Sequence, residues 1–280
     1  MISYILYRTA SFLARSLPQA LCMRIAAALA FLFYAFRPAI RKNVRTNFEK
    51  LGICPQTTFP VFRNFSRAVT DLLRLPSMSR DELMALCRAR GTENLDRALK
   101  KGRGAILFAP HLGPWELAGA CMSCLGYRMN TVALEHPSAR VTRFLSEIRN
   151  TWGFRDYSSR SCGTGLMRAL GKGDTIVLLV DRSFSRRGMK TRFFDTDVLL
   201  PDGHITLSLR SGAPLLPCCS WYTPDGKIEI VVGEEVRMPE SGNSRDAIGR
   251  ACIGRIEEFV RSHPEQWFAF DHLWKAGRHV

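Results

Sequence analysis

The sequence predicts an α/β fold: a mixed, largely parallel central sheet flanked by helices, preceded by a membrane-associated N-terminal helix. Three observations carry this. Two short apolar runs, Ala105 to Ala109 and Thr175 to Val180, have the length of buried strands rather than helices. Stretches with helical spacing alternate with strand-like runs as far as Pro264, the pattern of parallel βα units. The first 36 residues are apolar and run directly into a basic cluster. A chain of 280 residues, 46% hydrophobic, has ample material for a core.

Taken in order, residues 1–36 are interrupted by Arg8, Arg15 and Arg24, and the longest clean run is Ile25 to Phe36. That run falls short of the about 20 residues needed to span a bilayer. It predicts an amphipathic or partly inserted anchor over residues 1–40, its arginines snorkelling to the surface; the other reading is a helix covering the core of the soluble domain. No positive charge precedes the first apolar residues, which argues against a signal peptide. Arg37, Arg41, Lys42, Arg45 and Lys50 follow, a cluster suited to an anionic membrane surface. Residues 41–280 contain no repeat or flexible linker and are read as one domain.

Within that domain Val61 to Leu75 is predicted helical, and Ser79 opens another helix with Asp81 and Glu82 in its first turn. Asn94 to Lys100 is a short helix. Gly104 to Gly126 then reads as strand, tight loop and helix, with Pro114 in the first helical turn and Gly126 at the left-handed C-terminus. Strands at Thr131–Leu134, Phe154–Tyr157 and Thr175–Val180 alternate with helices at Ser138–Trp152 and Leu166–Leu170. Residues 182–203 read as a loop-rich insert. His204 to Arg210 is helical and closes near Gly212. Leu215–Tyr222 and Lys227–Val232 flank Thr-Pro-Asp-Gly, a hairpin signal. Ser244 caps a last helix, and Pro264 ends it.

Open parallel sheets bind ligands at the carboxyl ends of their strands. His111 and Asp181 both fall at such ends. Glu116 lies five residues after His111, too far round to share a helix face with it, but a loop-borne His111 can fold back onto the first helical turn. A carboxylate beside an imidazole fixes its tautomer and steadies the imidazolium, which is the machinery for deprotonating a hydroxyl. The other reading is a strand-end histidine and a surface glutamate. The net charge of +15 favours acidic partners: nucleic acid, anionic lipid or an acidic carrier protein. No helix-turn-helix, zinc-finger or RNA-binding signature is visible, so no nucleic-acid partner is expected. Nine irregularly spaced cysteines read as reduced thiols, and Cys121-Met-Ser-Cys124 as packing. No metal or cofactor is implied: the H-x4-E spacing is not H-E-x-x-H, and neither a G-x-G-x-x-G nor a P-loop is present.

These residues resemble the bacterial lipid A late (lauroyl/myristoyl) acyltransferase family, within the wider H-x4-D/E glycerolipid and lysophospholipid acyltransferases. His111-Leu-Gly-Pro-Trp-Glu116 is similar to the family's H-F-G-N-W-E, and Val180-Asp181 to its V-x-D-Q. Arg192-Phe-Phe-Asp195 resembles its F-F-G, with Asp195 in place of the glycine, and Ser211-Gly-Ala-Pro-Leu-Leu-Pro217 resembles its T-G-A-x-x-x-P. His263-Pro-Glu-Gln-Trp267 and His272-Leu-Trp-Lys275 resemble its closing motifs, and Arg41 to Phe48 its basic stretch.

The resemblance implies transfer of a fatty acyl group from an acyl carrier protein or coenzyme A thioester, as co-substrate, to a hydroxyl of a membrane glycolipid of lipid A type. It places the protein on the cytoplasmic face of the inner membrane. His111 is then the general base and Glu116 the residue that holds its imidazole. Arg149 is a candidate for a phosphate or oxyanion contact, or else a surface arginine. Asp181, with Arg182 beside it, is expected to position acceptor or donor. His136 and His204 are read as ordinary loop and cap histidines, and Trp267 as core or lipid-facing rim. Acceptors of lysophospholipid or ornithine/aminolipid type are the alternative. An inactive acyltransferase-like protein and a basic nucleic-acid binder are remoter ones.

Overall fold

The computed structural model describes residues 2–53, 58–183, 188–237 and 245–275. Seven strands form one sheet in the order β1-β9-β8-β2-β5-β3-β4, where β1 is Cys87–Arg90, β2 Ala105–Ala109, β3 Met129–Ala133, β4 Arg155–Ser158, β5 Thr175–Leu179, β8 Leu215–Tyr222 and β9 Ile228–Val232. Every pairing is parallel except that of β8 with β9. The sheet is therefore mixed and largely parallel. β2 lies at its centre and is buried at all five positions, as a strand covered on both faces must be. Ile106 and Phe108 face one layer, formed by α9 (Cys162–Gly171), α10 (Gly203–Ser211) and α11 (Arg245–Ser262). Ala105, Leu107 and Ala109 face the other, formed by α7 (Trp115–Cys124) and α8 (Ala139–Thr151), with α5 (Arg80–Leu86) and α6 (Thr92–Leu99) beyond.

Local chemistry sets most boundaries where the sequence placed them. Ser79 and Glu82 form a reciprocal capping box on α5. Gly126 closes α7 at φ +99°, and Gly212 follows α10 at φ +69°. β1 had no visible signal, because Cys-Arg-Ala-Arg is short. Its Arg88 and Arg90 face solvent and pair with Asp225 and Glu229. The expected loop-rich insert contains a hairpin, β6 (Met189–Phe193) and β7 (Thr196–Leu200). Its turn residues, Phe194 and Asp195, have φ of +47° and +56°. A two-residue hairpin turn wants positive φ at both positions. Phe194 is held there by its N–H donating to Glu257 Oε1 at 2.6 Å and by the Arg261 guanidinium over its ring. Ser244 lies outside the described residues, as does Cys54; the eight described cysteines are free thiols.

Residues 2–40 form two helices and the start of a third, not a single one. α1 (Ile2–Ser16) stops before Pro18, and α2 (Gln19–Phe36) and α3 (Pro38–Lys50) follow. Arg74, at the end of α4 (Thr58–Arg74), donates to the carbonyls of Ala14 and Leu17 and so closes α1. Ala30 of α2 is buried with Val61, Phe62 and Phe268. α2 extends beyond the clean apolar run and includes Arg24. Its 18 residues are long and apolar enough to cross a membrane, with only 17% of them buried. Ile2, Phe12 and Phe36 are 69–77% exposed, so α1 and α2 together present an apolar outer face.

Candidate active site

β2 and β5 are hydrogen-bonded neighbours, with Ala109 opposite Leu179, and both run into loops at the same sheet edge. His111 is two residues past β2 and Asp181 two past β5, so adjacency of the strands brings the side chains together. His111 Nδ1 lies 2.6 Å from Asp181 Oδ1. The second carboxylate oxygen accepts from Trp267 Nε1 at 2.7 Å. Asp181 and Trp267 are fully buried, and His111 nearly so. Burial by itself would raise the Asp181 carboxyl. The His111 charge and hydrogen bond, the Arg182 guanidinium and the Trp267 indole overcome it and hold the acid at about 2. An ionised carboxylate only accepts, so His111 Nδ1 carries a proton and donates it to Asp181, and a neutral imidazole in this position has its lone pair on Nε2.

The loop bearing His111 is clamped by the segment around Trp267. His111 O accepts from Phe268 N at 2.8 Å, Gly113 N donates to Gln266 O at 2.9 Å, and Leu112 bridges to Trp267. The Gln266 side chain spans both backbone groups of Tyr222 at the end of β8, at 2.7 and 2.8 Å. Asn47 of α3 donates to Ala269 O and Asp271 O, and Asn64 of α4 to Glu265 O. Gly113 has φ +61°, and a Cβ there would lie 2.1 Å from Ser220 O, so only glycine fits the close approach of loop and β8. Trp115 stands edge-on to the imidazole, with ring centroids 5.5 Å apart. Phe193 at the end of β6 and Phe194 of the hairpin turn pack on Trp267. The aromatic pair and the closing motif thus form one wall behind Asp181.

The expected pairing of Glu116 with the imidazole is corrected: the carboxylate on Nδ1 is Asp181. Both oxygens of Glu116 are engaged by Arg149, at 2.6 and 2.9 Å. Arg149 reaches Asp156 of β4 at 3.0 Å as well, and Ser146 donates to the same Asp156 oxygen. Burial would lower the Arg149 guanidinium, but the two carboxylates raise it above its ordinary value. Arg149 is neither a surface arginine nor an open anion contact, since two acids already take its charge. It ties the first turn of α7 to α8 and β4. Sequence reasoning missed Asp156 in this cluster and the Trp267 bond to Asp181; the order of the closing motif was the only signal for the latter. Arg182 leaves the end of β5 beside Asp181 and pairs with Asp271 at 3.3 Å.

His111, Glu116, Arg149 and Arg182 all line one cavity of about 1110 Å³. One arm runs beneath α7 and is apolar, with Leu107, Met122, Val177 and Cys218 among its walls. The other passes α9 and α10 on the opposite face of the sheet, where Thr164, His204 and Arg210 stand among apolar side chains such as Leu166, Met167 and Leu207. Among the described residues no group of three or more His, Cys, Asp or Glu is placed to hold a metal ion.

The fold and this corner define a class: an α/β protein with a histidine–carboxylate pair at the carboxyl edge of its sheet, opening on a slot lined with apolar side chains. The chain belongs to the bacterial lipid A biosynthesis acyltransferase family, which matches residues 1–276. It is similar to the phosphatidylinositol mannoside acyltransferase of Mycolicibacterium smegmatis, 26% identical over 94% of this chain and 88% of the relative. The Mycobacterium tuberculosis protein of the same name is 29% identical over 76% of this chain and 68% of its own length. A lipid A biosynthesis acyltransferase of Haemophilus influenzae is 22% identical over 63% of this chain and 55% of that protein. The protein is an acyltransferase, and its family together with the apolar α2 suggests membrane association.

Proposed function

We propose that the protein moves a fatty acyl group from a carrier-protein or coenzyme A thioester to a sugar hydroxyl of a membrane glycolipid. That acceptor class takes in both lipid A and the mannosides named for the relatives. The observation that carries the reading is the 2.6 Å contact between His111, which lines the cavity, and buried Asp181.

His111 Nε2 takes the proton of the acceptor hydroxyl as its oxygen attacks the thioester carbonyl. The new C–O bond leaves a tetrahedral oxyanion, for which the first-turn amides of α7 and the Arg182 guanidinium are the proposed donors. Collapse breaks the C–S bond, and the imidazolium returns its proton to the departing thiolate. Ester and thiol are the products, with no covalent enzyme intermediate and no metal or cofactor step. Asp181 holds the tautomer and offsets the imidazolium charge. Glu116 and Arg149 fix α7, whose first turn frames the site. The acyl chain takes the apolar arm beneath α7, since each buried methylene favours it by about 0.8 kcal/mol.

The exposed apolar face of α1 and α2 rests on the inner membrane, and the basic residues that follow meet anionic head groups. Thioester donors are cytosolic, which puts the active site on the cytoplasmic face. The test is mass spectrometry of total lipids from cells with wild-type protein, with His111→Gln and without either. One glycolipid should lose an acyl chain in the last two. An unchanged lipid profile, or full activity of His111→Gln, would overturn the proposal.

A further inference from the structure

We propose that the second arm of the cavity, between the first turns of α9 and α10, is a phosphate-binding site with His204 in its wall. The reading rests on the proposed acyl transfer only for where the phosphate comes from.

His204 is the second residue of α10 and is 4% exposed. It lines the cavity, its ring tilted against Phe108 at 5.6 Å, and neither ring nitrogen has a hydrogen-bond partner among the described residues. A buried imidazole with two unused nitrogens is costly to a fold unless something else satisfies it. Burial pushes it down to about 4, so it is neutral, with one donor nitrogen and one acceptor.

The surroundings favour an anion. Asp202 is the residue that should cap α10, yet it makes no capping bond. Its carboxylate is turned away to Arg245, which also donates to Thr206 at 2.7 Å. The first amides of α10 are therefore left without that cap, and the neighbouring negative charge is neutralised. α9 begins in the same way: Ser161 makes no capping bond, and Gly163 and Thr164 of its first turn line the same arm. Two uncapped helix starts, each the positive end of a dipole, thus border one space. Gly203, Thr206 and Arg210 of α10 follow at helical spacing along its cavity face. Arg210 is exposed and has no carboxylate partner among the described residues. Helix amides, an imidazole N–H and a guanidinium together are a donor set for the several acceptor oxygens of a phosphate.

The phosphate has two possible sources: the phosphodiester of the donor's phosphopantetheine arm, or a phosphate on the acceptor's head group. Binding to the full-length protein in detergent separates them. 4′-Phosphopantetheine is compared with pantetheine, and glucosamine 1-phosphate with glucosamine, for wild type, His204→Phe and Arg210→Gln. At least one phosphorylated probe should bind wild type about tenfold more tightly than its partner, the worth of one hydrogen bond to a charged group. Both variants should erase most of that preference, and the pair that responds names the source. Equal binding within both pairs overturns the proposal, as does a preference that survives both substitutions. Should His204→Phe fail to fold, Arg210→Gln, on the surface, decides alone. Binding is read without turnover, so its failure leaves the acyl-transfer reading standing, and failure of acyl transfer leaves the binding result standing.

Discussion

Replacing Asp181 by Asn keeps the side-chain shape and removes the charge. The two donors facing this position, His111 Nδ1–H and Trp267 Nε1–H, at present meet one carboxylate oxygen each. An amide offers a single oxygen. If that oxygen stays with Trp267, the amide N–H₂ faces Nδ1 and drives the imidazole proton to Nε2, where the base is needed. Amidating the acid of a serine-protease triad lowers turnover about 10⁴-fold by the same route. We expect 10³- to 10⁴-fold here, or about 4–5 kcal/mol of transition-state stabilisation. The assay is initial-rate acyl transfer from a labelled thioester, with kcat and KM separated. Nearly all of the loss should fall in kcat, and rising pH should not restore it. Stability provides a second reading. Asp181 is held at about 2 in the folded protein, below the about 3.9 of an unfolded aspartate. The stability it supplies is complete well above pH 4 and is lost as pH falls through 4 towards 2, worth roughly 2–3 kcal/mol. Thermal melts of wild type should fall more steeply across that window than those of Asp181→Asn. Turnover within tenfold of wild type would refute the orienting role.

Glu116→Gln should act through structure. It leaves Arg149 with Asp156 alone in a largely buried site, costing about 3 kcal/mol, seen as a lower Tm with an unchanged pH–rate profile; a shifted profile would count against this. Met122→Ala deepens the arm beneath α7 and should shift preference to longer acyl chains, by about fourfold in kcat/KM per added methylene. A competition assay with thioesters of graded length reads it directly, and an unchanged preference would place the acyl chain elsewhere. Serine at Ile25, Leu29 and Phe36 together removes exposed apolar area from α2 while sparing Ala26 and Ala30, which are buried. Vesicle pelleting should drop sharply, and undiminished pelleting would remove this face from the membrane contact.

Much of this architecture could be read before any coordinates. Ala105 to Ala109 has no polar residue and no room for a helix, so it could only be a strand covered on both sides. His111 and Asp181 could be placed at strand ends for the same reason. Their adjacency could not, because strand order is set by contacts distant in sequence: β5 pairs with β2, while β3 and β4 lie between them in the chain. The local spacing of His111 and Glu116 therefore suggested a pairing that the sheet gives to Asp181. Arg149 could be seen on its helix, but not the two acids waiting for it on α7 and β4. The β6–β7 hairpin was hidden because its turn is built from Phe and Asp, without glycine. His204 carried no signal at all: only burial without a partner sets it apart from an ordinary cap.

The proton on His111 is the most direct test. Nitrogen-15 and proton NMR of protein labelled at histidine should show a far-downfield Nδ1–H and a lone-pair Nε2, retained in Glu116→Gln and lost in Asp181→Asn. A proton on Nε2 in the wild type, or a downfield signal that vanishes with Glu116 instead, would contradict the account.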